Sequence, residues 1–370
     1  YELYPEKFSN KTNGITQRRW LLVANHYLSK VIRDKIGDGW ITDLSQINGL
    51  IKLADDREML INLYNIKLDN KKKLAEYIKK ECGIEVNPES IFDSQVKRIH
   101  EYKRQFLNAL RILVMYNRAK KDPLSLVSPV TFIFAGKSAP GYVRAKLIIK
   151  LINSVAETVN GDKSINGKIK VVFLPNYGVS LAEKIIPASD VSEQISMAGT
   201  EASGTGNMKF ALNGALTLGT LDGANIEILE HVGAENIYIF GLNAEQIKAK
   251  ALAGEYKPRE IYESDAEIKA AVDMLSSGEL AHGDRELFKP LHDSLLYGDV
   301  GGDPDRYFLL ADIKDYLLKS YQLNKDFTDK LLWQKKALFN IANMGYFSSD
   351  RAVKEYTDEI WHAHSVKVKP

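Results

Sequence analysis

The sequence predicts an α/β fold with a doubly wound, Rossmann-like parallel sheet and a helical appendage. Through the middle of the chain, short apolar runs alternate with stretches whose apolar residues recur at helical spacing, which is typical of β-α-β units. Residues 256–342 are mostly helical in pattern. At 370 residues the chain is long enough to bury a sizeable core.

The first β-α unit lies in residues 92–121. It combines a short strand, a basic turn and a long helix, which ends before Pro123 because proline cannot continue a helix. The apolar stripe predicted for this helix consists of Tyr102, Phe106, Ala109, Leu110 and Leu113.

The second unit begins with TFIFAGK at 131–137, a pattern typical of a buried strand. Apolar residues then recur at helical spacing over 142–155, which predicts a helix packed on the sheet. The dipeptide Asn166-Gly167 predicts a turn after this helix.

Two more strands are predicted, at 168–174 and at 237–241. Between them, Ser180 and Glu183 have the spacing of a capping box and predict the start of another helix. Ligands of such open sheets bind at the carboxyl ends of the strands. The loops of interest are therefore 97–104, 137–142, 175–180 and 199–209.

The composition narrows the classes of function. Fifty Lys and Arg against 48 Asp and Glu leave a formal charge of +2, so no global field favours a nucleic acid or a membrane as partner. The lone Cys82 favours a reducing, cytoplasmic setting and no structural metal site. No apolar run reaches the ~18 residues of a membrane span. Because the first methionine is Met59, we expect the chain to be a fragment of a longer protein.

A glycine-rich stretch at 199–225 is the first candidate site, with six of the chain's 25 glycines. Glycine lets backbone N–H groups approach an anion closely, and Ser203 and Thr205 add hydroxyl donors. The spacing fits neither a P-loop nor a dinucleotide fingerprint, since Lys209 replaces the last glycine of the latter. A lysine beside a phosphate cradle suits pyridoxal phosphate. The alternative is a purely structural turn.

The second candidate site is the basic segment KRIHEYKR at 97–104. Arg98 can grip a phosphate with its planar guanidinium, whereas Lys97 and Lys103 act as point charges. The segment therefore suits two anions or one multiply charged anion. The alternatives are a solvated basic face and, against the balanced net charge, a nucleic-acid contact.

Other residues carry weaker signals. His100 is either a general base or an ordinary helix residue, and Glu201 is a carboxylate beside the cradle with no partner visible in sequence. Trp20, Tyr142 and Tyr177 are by default core or rim aromatics.

Five segments together give a more specific interpretation: NKTNGITQRRW, VKRIHEYKRQ, GKSAPGY, NYGVSLAEKIIPASDVSEQIS and GTEASGTGNMKFALNGALT. They resemble the α-glucan phosphorylase family, which comprises glycogen, starch and maltodextrin phosphorylases. The resemblance continues to FSSDRAVKEYTDEIW near the end of the chain. One departure is Gln17, where the family often has proline, and we expect it to change only the start of the following helix.

The resemblance implies the C-terminal half of a glycosyltransferase type B fold, with a connecting segment at 1–12, the cofactor-binding domain at 13–345 and a crossing helix and tail at 346–370. It implies reversible phosphorolysis of an α-1,4-glucan to glucose 1-phosphate, with inorganic phosphate as co-substrate and pyridoxal phosphate on Lys209. The other wall of the cleft belongs to an N-terminal domain outside this chain. The family is also typically homodimeric.

The resemblance also assigns roles to individual residues. Lys97 and the backbone of Thr205 and Gly206 match positions that hold the cofactor phosphate, and Trp20 and Tyr177 match positions that line the cofactor. Arg98 and Lys103 match positions that hold the substrate phosphate. The positions that match binders of the glucosyl hydroxyls are Asn13, Tyr102, Glu201, Ser203 and Gly204.

Two other classes of function remain as alternatives. The chain is a non-catalytic module that binds pyridoxal phosphate or a sugar, or it is a nucleotide-sugar glycosyltransferase, which shares the fold but lacks the cofactor lysine. Lys209 within GTGNMK argues against the glycosyltransferase. Preference among glucans and allosteric control leave no signal in this sequence.

Overall fold

The computed structural model describes residues 2–298, 302–364 and 366. The tail predicted at 346–370 therefore lies partly outside the described residues. Helices surround a central sheet, and the elements in chain order are α1 His26–Ile36, α2 Arg57–Cys82, β1 Ile91–Val96, α3 Gln105–Lys121, β2 Val130–Ala135, α4 Val143–Gly161, β3 Ile169–Leu174, α5 Val179–Ala188, β4 Val191–Gln194, α6 Gly206–Leu212, β5 Leu216–Gly219, α7 Asn225–Val232, β6 Tyr238–Ile239, α8 Ala244–Ala253, α9 Pro258–Ser264, α10 Ala266–Ser277, α11 Lys289–Leu296, α12 Leu309–Asp326, α13 Lys330–Ala342 and α14 Ser349–Tyr356.

The sheet that these strands form is parallel, with strand order β3-β2-β1-β4-β5-β6. This order confirms the predicted doubly wound α/β class. Strands β1 to β3 are added towards one edge of the sheet and strands β4 to β6 towards the other, so the strand order reverses between β1 and β4. At this point Asp93 pairs with Val191 and Ser94 with Ser192. In open α/β sheets, the crevice at the carboxyl ends of two such strands is the ordinary ligand site.

Each face of the sheet is covered by helices, because successive side chains of a strand point to opposite faces. Phe132 of β2 packs with α3, α4, α10 and α12 on one face. The next residue, Ile133, packs with α1, α2, α5 and α13 on the other. Burial on both faces explains why β2 and β3 are near-continuous apolar runs, which sequence reveals easily.

Several sequence predictions are confirmed within a residue or two, including the strands at 131–137 and 168–174, the turn at Asn166-Gly167 and the mostly helical segment 256–342. The capping-box prediction is wrong. Helix α5 begins at Val179, one residue before Ser180, and Gly178 precedes it without a side-chain cap. Tyr102 lies in a short 3₁₀ turn, Glu101–Lys103, before α3, and so does not belong to the helix stripe.

The first and last parts of the chain meet. Ile15 forms a parallel bridge with Ser348, and a Cβ atom at Gly14 would lie 2.2 Å from the Ser348 carbonyl carbon. Gln17 is buried and donates a hydrogen bond to the carbonyl of Ile41, 2.9 Å away. The glutamine thus ties the start of the chain to the segment before α2. Among the described helices, none is long and apolar enough to cross a bilayer.

Candidate functional site

A pocket of about 230 Å³ opens at the carboxyl ends of β1 and β4, where the strand order reverses. Residues from the basic segment and from the glycine-rich stretch meet in it. Its lining consists of Val96, Lys97, Lys103, Tyr177, Gln194, Ser196, Glu201, Ser203, Gly204, Thr205, Gly206, Asn207, Lys209, Asp222 and Asn225.

Lys97 enters the pocket directly after β1. The backbone N–H of Lys97 donates to the Ala135 carbonyl at 3.0 Å. The Lys97 carbonyl packs closely against Gly136, where an added Cβ atom would lie only 2.0 Å from the Lys97 carbonyl oxygen. The Nζ atom lies 2.6 Å from Oε1 of Gln194, a neutral acceptor. Burial is the main reason that the pKa of Lys97 is lowered to about 7, and the nearby charge of Lys103 contributes to the same shift. An anion in the pocket would relieve both effects.

Lys103 and Glu201 form an ion pair across the pocket. The Tyr102 hydroxyl donates to the same carboxylate, with 3.2 Å between the oxygens, and the ammonium of Lys103 lies 4.6 Å from the centre of the Tyr102 ring. Burial is the largest single effect and lowers the pKa of Lys103, but the hydrogen bonds and charges of Glu201 and Tyr102 together outweigh it, so the pKa lies above its usual value. Lys103 is therefore a fixed positive charge at neutral pH.

His100 lies in the turn before α3, so it is not the helix residue that the sequence offered as one of two alternatives. Its Nδ1 atom accepts a hydrogen bond from the Tyr102 N–H at 3.3 Å. Its ring packs against the rings of Tyr102 and Tyr142, with centroids 4.7 and 4.9 Å apart. Burial lowers its pKa, so the neutral ring is favoured at pH 7. His100 shapes the turn that presents Lys103.

The glycine-rich stretch forms the opposite side of the pocket. Gly204 has a φ of +80°, a left-handed conformation that favours glycine. The N–H groups of Thr205 and Gly206 donate to no acceptor in the described residues 2–298, 302–364 and 366. These two donors face the pocket at the start of α6 and suit an anion.

Lys209 lies one turn into α6, as predicted. Its Nζ atom lies 4.4 Å from the centre of the Trp20 ring, and burial lowers its pKa. A lysine with a lowered pKa is more often the neutral amine that attacks an aldehyde. Tyr177 lines the same space, and burial raises its pKa to about 12. The pocket can therefore hold a phosphorylated aldehyde: the amine of Lys209 can react with its carbonyl group, and Lys97 and the backbone N–H groups of Thr205 and Gly206 can bind its phosphate.

Two predicted site residues lie apart from this pocket. Arg98 is exposed, and its side chain forms no hydrogen bond or ion pair with the part of the chain that the structure describes. Asn13 is also exposed, and its carbonyl accepts a hydrogen bond from Arg351 at 3.3 Å. Neither residue lines the pocket.

Sequence analysis missed five polar residues of the lining: Gln194, Ser196, Asn207, Asp222 and Asn225. Asn225 bonds to the carbonyl of Gln194 and accepts from Asn207, both at 3.0 Å. A signal was present for Asp222, since an Asp-Gly pair in a glycine-rich segment indicates a turn that approaches other backbone closely. For Gln194 there was none, because β4 itself was not predicted.

A metal centre is not formed by the described residues, none of which group three or more His, Cys, Asp or Glu side chains at ligand distances. The charged and polar groups that line the pocket include Lys97, Lys103, Lys209, the carboxylates of Glu201 and Asp222, and the backbone N–H groups of Thr205 and Gly206. Its charges are suited to anions and to hydroxyl groups.

Comparison with known proteins agrees with this geometry. A family model described as carbohydrate phosphorylase matches residues 1–363. The chain is 51% identical over 369 residues to a glycogen phosphorylase of Synechocystis and 52% identical over 362 residues to one of Chlamydia pneumoniae. It is 50% identical over 368 residues to the liver form of glycogen phosphorylase from Bos taurus.

These alignments cover 98 to 100% of the chain but only 42 to 43% of each relative, so the chain spans less than half the length of the proteins that it matches. By the extent of the family match and of these identities, the chain belongs to the carbohydrate phosphorylase family.

Proposed function

We propose that this chain is the cofactor-bearing part of an α-glucan phosphorylase, which cleaves a terminal α-1,4-glucosidic bond with inorganic phosphate and releases glucose 1-phosphate with retained configuration. The observation that carries the proposal is the pocket in which Lys209, Lys97 and two free backbone donors of the α6 start lie together. The names of the relatives support the substrate class.

Pyridoxal 5′-phosphate fits the donor set of this pocket. Lys209 offers an amine whose pKa burial lowers, and Lys97 and the N–H groups of Thr205 and Gly206 offer a site for a phosphate. Trp20 and Tyr177 flank Lys209 with apolar surface. When bound, this cofactor supplies a phosphate group that passes a proton to the substrate phosphate.

The residues of this chain then have separate tasks. Lys97 keeps the cofactor phosphate charged, and Lys103 places the substrate phosphate beside it. Lys97 and Lys103 would offset the repulsion between two phosphate groups bound in this pocket and would favour the sharing of a proton between them. The glycosidic oxygen takes the proton as its bond to the sugar breaks, and a phosphate oxygen bonds to the same carbon from the same face.

Sugar hydroxyls are assigned to Tyr102, Glu201, Ser203 and Gly204; the last three line the pocket, and the Tyr102 hydroxyl donates to the Glu201 carboxylate. We also propose that Arg98 binds the substrate phosphate and that Asn13 binds the sugar. Both residues lie outside the pocket lining, so each must reach its ligand from beyond the pocket. In the full-length protein, an N-terminal domain would close the cleft, and the enzyme would act as a cytoplasmic homodimer on glycogen, starch or maltodextrin. The isolated chain would then have little or no activity.

The cofactor assignment is tested by the absorption spectrum of the purified chain with added pyridoxal phosphate, followed by borohydride reduction and peptide mapping. We expect a pyridoxyl group fixed on Lys209 and none in a Lys209→Ala variant. A label on other lysines only, in both the chain and the full-length protein, would contradict the assignment.

The alternative is a non-catalytic module that binds pyridoxal phosphate or a sugar. Phosphorolysis measured on the chain and on the full-length protein separates the two functions. Activity of the full-length protein that is lost with Lys209→Ala supports the enzyme. A full-length protein that binds the cofactor and releases no glucose 1-phosphate supports the module.

A further inference from the structure

The carboxylate of Asp222 binds one loop at three points. Its oxygens accept hydrogen bonds from the Ser196 hydroxyl at 2.6 Å and from the N–H groups of Gly199 and Glu201, each at 2.9 Å. Asp222 is only 4% exposed. Three donors of the protein already form hydrogen bonds with this buried carboxylate, so Asp222 stabilises the loop.

The turn that follows Asp222 holds the next part of the same loop. The Ala224 N–H donates to the Ser203 carbonyl at 2.7 Å. Gly223 has a φ of +52°, and a Cβ atom there would lie 2.5 Å from the same carbonyl oxygen. Residues 222–224 thus contact the loop before and after Glu201.

The loop has little regular structure of its own to set this path. Residues 195–205 connect β4 to α6, and Gly199 and Gly204 both have positive φ values. A carboxylate that binds two N–H groups and a hydroxyl can replace the missing regular hydrogen bonds. The position of the Glu201 backbone is therefore set by a residue 21 positions later.

We propose that Asp222 is a positioning residue for the sugar side of the pocket: it fixes residues 196–201 so that the Glu201 carboxylate and the neighbouring Ser203 meet the hydroxyl groups of a sugar ring. This inference rests on the proposed function, which assigns those two residues to the sugar. Asp222 acts on the sugar side through Glu201, and on the phosphate side its charge raises the pKa of Lys97.

An asparagine at this position tests the role because it keeps the size of the side chain and removes one acceptor. Its NH₂ group must face either the Gly199 N–H or the Glu201 N–H, so at least one loop donor loses its partner. The loop then samples positions in which Glu201 no longer faces the sugar. Hydrogen bonds to charged groups are strong enough that about a tenfold loss of sugar affinity is expected.

The experiment uses the full-length holoenzyme and compares Asp222→Asn with wild type in both reaction directions. We expect the KM for glucose 1-phosphate to rise about tenfold, with a smaller change in the KM for inorganic phosphate and the cofactor absorbance nearly unchanged. A merely structural role would lower the folded fraction, so the maximal rate would fall while both KM values stayed the same. That outcome would overturn the proposal.

Two further variants make the outcome specific. Ser196→Ala removes one of the three hydrogen bonds and no charge, and we expect a smaller rise of the same KM; if Asp222→Asn does not fold, an unchanged KM in Ser196→Ala overturns the proposal instead. Asp190→Asn is the matched control, because Asp190 is 2% exposed and binds the Phe92 N–H and Lys71 at the other end of β4. It should lower stability without a change in KM.

Failure of this inference differs from failure of the proposed function. A wild-type holoenzyme without phosphorolysis contradicts the function itself. An active wild type with an unchanged KM in Asp222→Asn contradicts only the positioning role.

Discussion

The Nζ atom of Lys97 lies 2.6 Å from the amide oxygen of Gln194, across the ends of the two strands at which the sheet order reverses. A neutral acceptor satisfies one N–H of the ammonium but does not neutralise its charge. The pocket therefore holds a cation whose pKa is depressed by burial until an anion arrives.

Replacing Lys97 with methionine should stabilise the ligand-free protein and weaken its anion binding. Because folding lowers the pKa of Lys97 from 10.5 to about 7, the unfolded chain binds more protons between these values. The buried Lys97 therefore lowers the free energy of unfolding of the wild type most below pH 7, and this loss of stability disappears as the pH rises towards 10.5. Urea unfolding should thus show that Lys97→Met raises the free energy of unfolding, and that the rise is larger at about pH 6 than at about pH 9.

The control is Lys137→Met, which changes an exposed lysine two residues after the end of β2. Because its side chain is exposed, its free energy of unfolding should change by less than about 0.5 kcal/mol. A pH-independent difference for Lys97→Met would contradict the account of Lys97.

Glu201→Gln should increase the affinity of the ligand-free protein for inorganic phosphate. Glu201 occupies Lys103 in the empty pocket, so an entering anion must displace a carboxylate and approach its negative charge. Removing that charge should tighten phosphate binding about three- to tenfold at low ionic strength. Isothermal titration with phosphate measures the change.

Glu101→Gln serves as the comparison for this prediction, since Glu101 accepts the Tyr142 hydroxyl and does not contact Lys103. We expect a smaller effect on phosphate affinity. An equal gain in both variants would mean that only the overall charge near the turn matters.

Gly136→Ala should damage both stability and the pocket. The new Cβ atom would lie 2.0 Å from the Lys97 carbonyl oxygen, so β1 and β2 must separate where Lys97 enters the site. Strain of this kind costs about 1–3 kcal/mol. Thermal unfolding should show the loss of stability, and phosphate titration of the same variant should show the loss of phosphate affinity.

Gly141→Ala is the control in the same loop, because no atom lies within 4 Å of a Cβ atom there. Its free energy of unfolding should change by less than about 0.5 kcal/mol. A tolerated Gly136→Ala would show that the strand ends yield more easily than the structure implies.

Arg111→Met should cost about 3–5 kcal/mol, since it leaves two buried carboxylates without their cation. Arg111 of α3 lies 2.6 Å from Asp93 and 2.7 Å from Glu193, beneath the carboxyl ends of β1 and β4. Burial already raises the pKa of Glu193, so the folded variant gains by binding a proton. The loss measured by urea unfolding should be larger at about pH 8 than at about pH 5.

Arg118→Met, on the same helix, breaks a pair with Glu267 in which both side chains are more than a third exposed. Its cost should stay below about 1 kcal/mol. Similar costs for the two variants would contradict the distinction between the buried and the exposed pair.

Sequence reasoning found the elements whose pattern is apolar and missed those whose buried side chains are polar. Strand β3 was predicted within one residue because its apolar run is nearly continuous. Strand β4 was missed because Ser192, Glu193 and Gln194 are buried polar residues, of which Glu193 binds Arg111 of α3 and Gln194 binds Lys97 after β1. Nothing local in the sequence distinguishes such a strand from a loop.

The sequence by itself determined the α/β class, the family resemblance and the two short segments that supply the lysines of the pocket. Only the tertiary structure decided which side chains face each other: Lys97 and Gln194 are 97 residues apart, and Lys103 and Glu201 are 98 apart. They meet because β4 pairs with β1 and not with its neighbour in sequence, β3. Periodicity reports which face of an element is buried, whereas hydrogen bonds of about 3 Å depend on which elements become neighbours.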